Sequence, residues 1–484
     1  MNITKKTKVV CTIGPASDTY EKCLELYHAG MNVMRMNFSH GSYEEHGKKV
    51  AIAKKLWEND KIIMPLVLDT KGPEIRTHLF KDGKAKFETN SIVRISMTEV
   101  LGDSTHFSVT YAGLYDDCEV GQHIKLDDGN ITFEIIEKDA SKKELVCKAL
   151  NHHEVKDRRG VNCPETNIQM PYISEKDYND IVWGTKQEEV AFIAASFVRD
   201  ANDVLDIRKI LVENGRSDIK IISKIENPLA VKNIDDIIKV TDAIMVARGD
   251  LGVEIPAEDV PVVQKLLIEK CRIAGKPVIT ATQMLDSMKT NPNPTRAEVS
   301  DVANAVTSGT DAVMLSAESA SGEYPVEAAS MQAKISTKME KYLPYAQLAN
   351  EAFETSNKNN NDAISNAVAT TAILVDAKLI VVLAETDEAI SRLSKARPCC
   401  PILSVSNDMK ICRNSSLMWG VYPTYIPFIP QLIEEMEVFA LFKARELGIP
   451  AGSNIILTGG TPTGSNKTNF MKIITTRDFK EMED

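Results

Sequence analysis

The chain has 484 residues, of which 43% are hydrophobic and 26% are charged, as is typical of a soluble folded protein. Because a single core is unusual at this length, we expect two to four domains. The formal net charge of −11 argues against non-specific binding to nucleic acid or to a membrane surface. The basic N-terminus is not followed by a signal-peptide core, and no stretch approaches the roughly 18 apolar residues of a membrane span. We therefore expect a cytoplasmic protein.

Eight short apolar segments, each typical of a buried strand, alternate with helical patterns along the first two thirds of the chain. This repeated alternation implies parallel strands, and eight is the number that closes a (β/α)8 barrel. One helix start is well marked, because Ser42 and Glu45 form a capping box. The predicted strands are Val9–Ile13, Val33–Phe38, Pro65–Leu68, Ala191–Ala195, Lys220–Ile225, Ala243–Ala247, Val278–Ala281 and Ala312–Leu315, and helices are predicted over 43–57, 201–214, 258–274 and 296–307.

Many of these strands end in polar residues, and barrel enzymes place their chemistry at the carboxyl ends of strands. Lys224 and Glu226 face the same side of one strand, and Asp250 ends the next. A cation between two carboxylates suits a divalent metal and a phosphoryl group. A surface ion pair would explain one isolated pair, but the pattern recurs at Asn37, Ser39, Asp69, Thr70, Ser196, Arg248, Thr282, Ser316 and Glu318.

Residues 72–167 separate the third and fourth barrel strands and read as short alternating segments instead. We interpret them as a small all-β lid domain inserted in the barrel, with a hairpin turn at Asp127–Asn130. After the eighth strand, a polar stretch at 355–362 precedes a second strand–helix series, which predicts a C-terminal α/β domain with a mostly parallel sheet. The expected domains are the barrel (1–71 and 168–345), the lid (72–167) and the C-terminal regulatory and assembly domain (346–484).

Nine cysteines are present, but none shows Cys-x-x-Cys spacing, so the sequence indicates neither a zinc site nor a redox motif. We interpret the adjacent Cys399 and Cys400 as plain buried thiols. Given the acidic net charge, any anionic ligand must be met by a local cluster of arginine and lysine.

Seven further stretches carry a more specific signal: CTIGPAS (11–17), RMNFSHG (35–41), DTKGPEIRT (69–77), SKIEN (223–227), ARGDLG (247–252), ATQML (281–285) and DAVMLSAE (311–318). In this order they resemble the pyruvate kinase family over essentially the whole chain. The resemblance implies a barrel, a lid and a C-terminal α/β domain, assembled as a homotetramer. It also implies transfer of a phosphoryl group from phosphoenolpyruvate to ADP, giving pyruvate and ATP in the last step of glycolysis.

Such a transfer depends on positioning and charge neutralisation. By the resemblance, Glu226 and Asp250 would hold Mg²⁺ or Mn²⁺. Lys224 would stabilise the charge on the phosphoryl group during its transfer. Gly249 would let its backbone approach the substrate carboxylate closely, at the start of a short helix. Thr282 would lie near the enolate that becomes protonated.

Because threonine is too weak an acid to act alone, a proton relay through water, or through Ser316 and Glu318, stays open.

The family's phosphate-bracketing arginines correspond to Arg35 and Arg76, and Arg35 would bind substrate and take part in catalysis. Asn37, His40, Arg76 and Arg159 would contact the nucleotide. Arg159 stands where the family commonly has a lysine, so the charge is kept but the geometry differs. His40 fits a structural hydrogen-bonding role better than that of a general base.

A monovalent cation is implied as well. Asn37, Ser39, Asp69 and Thr70 supply one carboxylate and several neutral oxygens, where the family holds K⁺. Glu74 agrees with this, because family members that do not depend on K⁺ carry a lysine at that position.

Regulation is where the chain departs from the family. Members activated by fructose-1,6-bisphosphate hold a phosphate on a Ser/Thr, Gly and Arg loop in the C-terminal domain. That loop aligns here with Thr386–Ala389, which lacks the arginine and carries Asp387 and Glu388. The Gly459–Asn466 segment, with Gly460, Thr461, Thr463 and Ser465, could still cradle an anion.

Two alternatives stay open at the level of sequence. A metal-dependent lyase or aldolase acting on pyruvate enolates would also place acidic ligands and an arginine at barrel strand ends, although it needs no nucleotide clamp. A catalytically inactive regulatory relative is disfavoured, because Lys224, Glu226 and Asp250 are all present.

Overall fold

A computed structural model describes residues 3, 5–461 and 468–477. Within these ranges no helix is both long and apolar enough to cross a membrane. The chain starts the barrel with two helices between three strands, and α2 begins at the capping box of Ser42 and Glu45. These elements are β1 (Lys8–Thr12), α1 (Tyr20–Ala29), β2 (Val33–Asn37), α2 (Tyr43–Asp60) and β3 (Leu66–Asp69).

The lid follows β3 and packs around a cluster of phenylalanines. The ring of Phe87 lies 5.7 Å from that of Phe107 and 5.3 Å from that of Phe133. Its elements are β4 (Ile75–Arg76), β5 (Lys84–Phe87), β6 (Ile92–Ser96), β7 (His106–Ser108), α3 (Leu114–Asp117), β8 (His123–Leu126), β9 (Ile131–Asp139), β10 (Glu144–Ala149), β11 (His153–Lys156) and β12 (Gly160–Asn162). Seven strands form one sheet in the order β4-β12-β8-β9-β10-β6-β7, and β11 pairs with β5.

The chain then returns to complete the barrel. Its elements are α4 (Glu175–Thr185), β13 (Val190–Ala195), α5 (Ala201–Glu213), β14 (Lys220–Ile225), α6 (Pro228–Lys232), α7 (Ile234–Val240), β15 (Ala243–Ala247), α8 (Arg248–Glu254), α9 (Val260–Ala274), β16 (Val278–Ala281), α10 (Arg296–Ser308), β17 (Ala312–Leu315), α11 (Ala317–Ala320) and α12 (Pro325–Met339). Eight parallel strands close in the order β1-β17-β16-β15-β14-β13-β3-β2. Every residue of β13 is buried, as expected for strands covered on both faces.

The C-terminal domain is a five-stranded sheet in the order β20-β19-β18-β21-β22, parallel except for β22. Its elements are α13 (Tyr345–Glu354), α14 (Asn360–Leu374), β18 (Leu379–Leu383), α15 (Asp387–Lys395), β19 (Ile402–Ser406), α16 (Met409–Ser415), β20 (Val421–Tyr425), α17 (Ile433–Glu446), β21 (Asn454–Gly459) and β22 (Phe470–Thr475). Arg397 joins it to the barrel, because its buried guanidinium lies 2.8 Å from Asp311 and over the ring of Trp419.

Two side chains of the lid contact α8 at the carboxyl end of the barrel. Lys125 Nζ donates to the carbonyl of Val253 at 2.5 Å, and Asn162 Nδ2 donates to Glu254 Oε1 at 2.6 Å. A cavity of about 350 Å³ lies between lid and barrel, and Asp250 is among its lining residues. The lid therefore rests on the helix that begins at the end of β15.

The predicted fold class is confirmed, and four barrel strands have the predicted boundaries. The short lid strands β4, β5, β11 and β12, and several helices, were not predicted from the sequence. These strands have two to four residues each, too few to show a clear alternation.

Candidate active site

Lys224 lies at the centre of a buried polar cluster at the carboxyl end of the barrel. Its Nζ atom is 2.9 Å from Glu226 Oε1 and 3.1 Å from Asp69 Oδ1, and it donates to Ser196 Oγ at 2.8 Å. Although burial acts to lower it, Asp69 and Glu226 hold the pKa of Lys224 above its usual value. The lysine is therefore a fixed positive charge, and its contact with Glu226 agrees with the strand spacing in the sequence.

Asp69 binds a second cation on the neighbouring strand. Arg35 Nε lies 2.6 Å from Asp69 Oδ2, and Arg35 Nη1 donates to Thr12 Oγ1 at 2.8 Å. Burial acts to raise the pKa of Asp69, but Arg35 and Lys224 outweigh it and hold the pKa below its usual value. Asp69 thus remains a carboxylate between two cations.

Glu226 and Asp250 fit a divalent cation. Burial raises the pKa of Glu226 to about 7, with Lys224 opposing the rise and Asp250 adding to it. A metal ion would neutralise this repulsion between carboxylates. The backbone N–H of Phe197 donates to Glu226 Oε2 at 2.6 Å and orients the carboxylate. In the described part of the chain no group of three or more His, Cys, Asp and Glu residues is placed to hold a metal ion.

Gly249 and Thr282 hold the next two strand ends together. The N–H of Gly249 donates to Thr282 Oγ1 at 2.7 Å, and that hydroxyl donates to the carbonyl of Ala281 at 2.6 Å. A Cβ atom at position 249 would lie 3.4 Å from Thr282 Oγ1, at ordinary van der Waals contact. Thr282 itself has φ of 67°, an uncommon conformation for a threonine and one found at functional sites.

The Glu318 carboxylate, which the sequence offers for a proton relay, already accepts hydrogen bonds from the backbone. Glu318 is buried and accepts from the backbone N–H of Ser316 at 2.8 Å and of Leu285 at 3.2 Å. Glu318 therefore ties together the loops that follow β16 and β17.

The oxygens suggested for a monovalent cation lie at the ends of β2 and β3. Asn37 is paired with Asp69 across the two strands, and its Oδ1 accepts from the N–H of Ser39 at 3.1 Å. Thr70 follows Asp69 and is buried. These strand ends thus carry one carboxylate together with neutral amide and hydroxyl oxygens, the set expected from the sequence for a monovalent cation.

The residues suggested for the nucleotide are more exposed and already have partners. Arg76 pairs with both carboxylate oxygens of Glu74 at 2.8 Å, and Arg159 Nε lies 3.4 Å from Asp127 Oδ1 in the lid. His40 is exposed, and its carbonyl oxygen contacts His46 Nε2 at 3.0 Å. Binding of a nucleotide by either arginine would compete with these acidic partners.

Family models match two parts of the chain. The model described as pyruvate kinase, barrel domain, matches residues 4–329, and the model described as pyruvate kinase, alpha/beta domain, matches residues 362–474. The chain belongs to the pyruvate kinase family.

Individual relatives agree. A pyruvate kinase of Geobacillus stearothermophilus is 46% identical over 470 residues, covering 97% of this chain and 80% of the relative. A pyruvate kinase of Bacillus licheniformis is 47% identical over 475 residues, covering 98% of this chain and 81% of the relative. The crystal structure of a pyruvate kinase from Cryptosporidium parvum superposes with a TM-score of 0.92 at 36% identity, covering 98% of this chain and 96% of that one. The family resemblance and the assignment as a phosphotransferase of the pyruvate kinase family are confirmed.

Two residues in or near the Lys224 cluster were not singled out from the sequence. Ser196 was noted only as a polar strand end, yet its hydroxyl lies inside the Lys224 cluster. His46 lies on α2, where its ring stacks on Phe38 with centroids 3.9 Å apart. A serine directly after an all-apolar strand was the available signal for Ser196, whereas a lone histidine on a helix gives none.

His46 generates a prediction about protonation. Burial lowers its pKa to about 4, with Lys49 adding to the effect. The folded state therefore binds fewer protons than the unfolded state between about pH 4 and 6.5, so this histidine reduces stability as the pH falls through that window. We expect an NMR titration to show one of the eight histidines titrating near pH 4, with that signal absent in His46→Gln. A set of histidines that all titrate near pH 6 or above would contradict this.

Proposed function

We propose that this chain transfers the phosphoryl group of phosphoenolpyruvate to ADP, giving pyruvate and ATP. The observation that carries the proposal is the buried Lys224 ammonium, held between Asp69 and Glu226 beside Arg35 at the carboxyl end of the barrel. Two adjacent fixed cations, Arg35 and Lys224, suit the charge on the equatorial oxygens of a phosphoryl group during its transfer.

Each residue has a proposed role. Arg35 and Lys224 neutralise charge on the phosphoryl group, and Glu226 and Asp250 hold Mg²⁺ or Mn²⁺. When bound, the divalent ion would supply further neutralisation of the phosphoryl oxygens. Gly249 is proposed to let the substrate carboxylate approach the backbone, where its N–H would exchange Thr282 Oγ1 for the carboxylate.

The remaining roles concern ADP and K⁺. Asn37, His40, Arg76 and Arg159 are proposed to contact the nucleotide, which would draw the two arginines away from Glu74 and Asp127. The proposed K⁺ ligands are Asn37, Ser39, Asp69 and Thr70.

Assembly as a homotetramer and a cytoplasmic location are proposed from the family. Exposed apolar side chains on and before α17, among them Phe428, Val438 and Phe442, offer area for subunit contacts.

Lys224→Met tests the catalytic proposal directly. It removes a charge that matters chiefly in the transition state, so we expect kcat to fall by about 100-fold or more with a smaller change in KM. ATP formation from phosphoenolpyruvate and ADP is the measurement. Lys239→Met is the control, because that lysine pairs with Asp236 on the exposed surface. A near-normal kcat in Lys224→Met would rule out the assigned role.

The second prediction concerns K⁺. Activity should rise strongly when K⁺ replaces a bulky cation at constant ionic strength, and Glu74→Lys should weaken that dependence. Because Glu74 also holds Arg76, Glu74→Gln serves as the control that removes this pair without adding a positive charge. Full activity of the natural chain in K⁺-free buffer would disprove the cation site.

The third prediction concerns regulation. At the start of α15, Asp387 pairs with Lys220 of the barrel at 2.8 Å, and Glu388 extends into solvent near Arg392. A carboxylate at contact distance repels a phosphate by at least about 1 kcal/mol at an effective dielectric of about 20. In the second loop, Gly460 and Thr461 are described, whereas Thr463 and Ser465 lie outside the described residues.

We therefore expect fructose-1,6-bisphosphate not to be a strong activator. Either sugar phosphates do not regulate the enzyme, or a monophosphate uses the remaining loop. The test is a titration at subsaturating phosphoenolpyruvate, and a large activation at micromolar concentration would show the expectation to be wrong.

A further inference from the structure

Ser196 lies between the Lys224 ammonium and the two residues at the end of β3, Asp69 and Thr70. It follows β13, between β3 with Asp69 and β14 with Lys224, and its side chain is buried. Its Oγ atom lies 2.8 Å from Lys224 Nζ, 2.6 Å from the carbonyl oxygen of Thr70 and 3.1 Å from Asp69 Oδ1. The Ser196 hydroxyl thus contacts Lys224 and also Asp69 and Thr70, the two residues at the end of β3.

The hydrogen bonds of this hydroxyl have a defined direction. An ammonium only donates, so Lys224 donates to Ser196 Oγ. A hydroxyl has one hydrogen to give, and the carbonyl of Thr70 is its nearer acceptor. A chain of two hydrogen bonds therefore runs from Lys224 through Ser196 to the backbone of Thr70.

The backbone around Ser196 is fixed from several sides. Its N–H donates to Thr70 Oγ1 at 3.2 Å, and its carbonyl accepts from the hydroxyl of Tyr172 at 3.1 Å. A Cβ atom at Gly72 would lie 2.9 Å from both Cβ and O of Ser196, and Gly72 has φ of 72°. These contacts hold the backbone of Ser196 beside Thr70.

We propose that Ser196 is a positioning residue that transmits the effect of a monovalent cation at Asp69 and Thr70 to Lys224. This rests on the proposed function and on the proposed cation ligands. Such a cation would compete with Lys224 for the Asp69 carboxylate. Ser196 Oγ is then the neutral acceptor that keeps the ammonium in place while leaving its charge available to the phosphoryl group.

Ser196→Ala removes this acceptor. A small displacement of a catalytic group can cost up to about 100-fold in rate, so we expect kcat to fall by about 10- to 100-fold, with KM for phosphoenolpyruvate within about threefold. The matched control is Ser223→Ala, which removes a buried hydroxyl from the neighbouring strand β14, where it contacts Thr241. The control should keep the natural kcat.

The K⁺ dependence separates transmission from a structural effect. We compare kcat in K⁺ with kcat in tetramethylammonium at equal ionic strength, and we measure the Tm of each variant in both salts. In Ser196→Ala the ratio of the two kcat values should fall by about threefold or more, while the increase in Tm caused by K⁺ is kept. Ser196→Cys, which leaves no cavity, should give an intermediate ratio, because a thiol is a weak acceptor.

Three results for Ser196→Ala would overturn the inference. The first two are a kcat, or a ratio of kcat in K⁺ to kcat in tetramethylammonium, equal to that of the natural chain. The third is loss of the Tm increase caused by K⁺, which would make Ser196 part of the cation site itself. If Ser196→Ala does not fold, Ser196→Cys decides by the same criteria. The natural chain in the same assay tests the proposed function separately. If it forms no ATP from phosphoenolpyruvate and ADP, the proposed function fails and the inference fails with it.

Discussion

The rest of the site depends on the buried carboxylate of Asp69. It is 1% exposed, with Arg35 on one oxygen and Lys224 and Ser196 on the other. Without it, two buried cations would lose a shared partner, and breaking a buried ion pair costs about 3–5 kcal/mol. Asp69 is thus the partner that the two cations share, and it links Arg35 on β2 to Lys224 on β14.

The closed barrel explains how these groups meet. The strands β2, β3, β13, β14, β15 and β16 are consecutive around the ring, and each brings one member of the site to the same end. These members are Arg35, Asp69, Ser196, Lys224, Asp250 and Thr282. Residues far apart in sequence become neighbours because parallel strands end at one edge.

Much of the fold and of the candidate site could be predicted from the sequence, and the features that could not be predicted have physical reasons. Strands such as Lys220–Ile225 were predicted correctly because they are apolar runs ending in charge. The pairing of Glu74 with Arg76 could not be predicted, because side-chain contacts at this range depend on rotamers. Ser196 was missed as a site residue because its role comes from β3 and β14, which only the barrel brings beside it.

The contacts between lid and α8 link two events. Lys125 and Asn162 bind the end of a helix whose first turn carries Asp250. If this helix takes its ligand-binding position only with the lid docked, any ion that prefers the docked state must also hold the lid down. By thermodynamic linkage, opening of the lid must then lower the affinity for that ion by the factor by which the ion favours the docked lid. Product release and metal affinity therefore depend on one equilibrium.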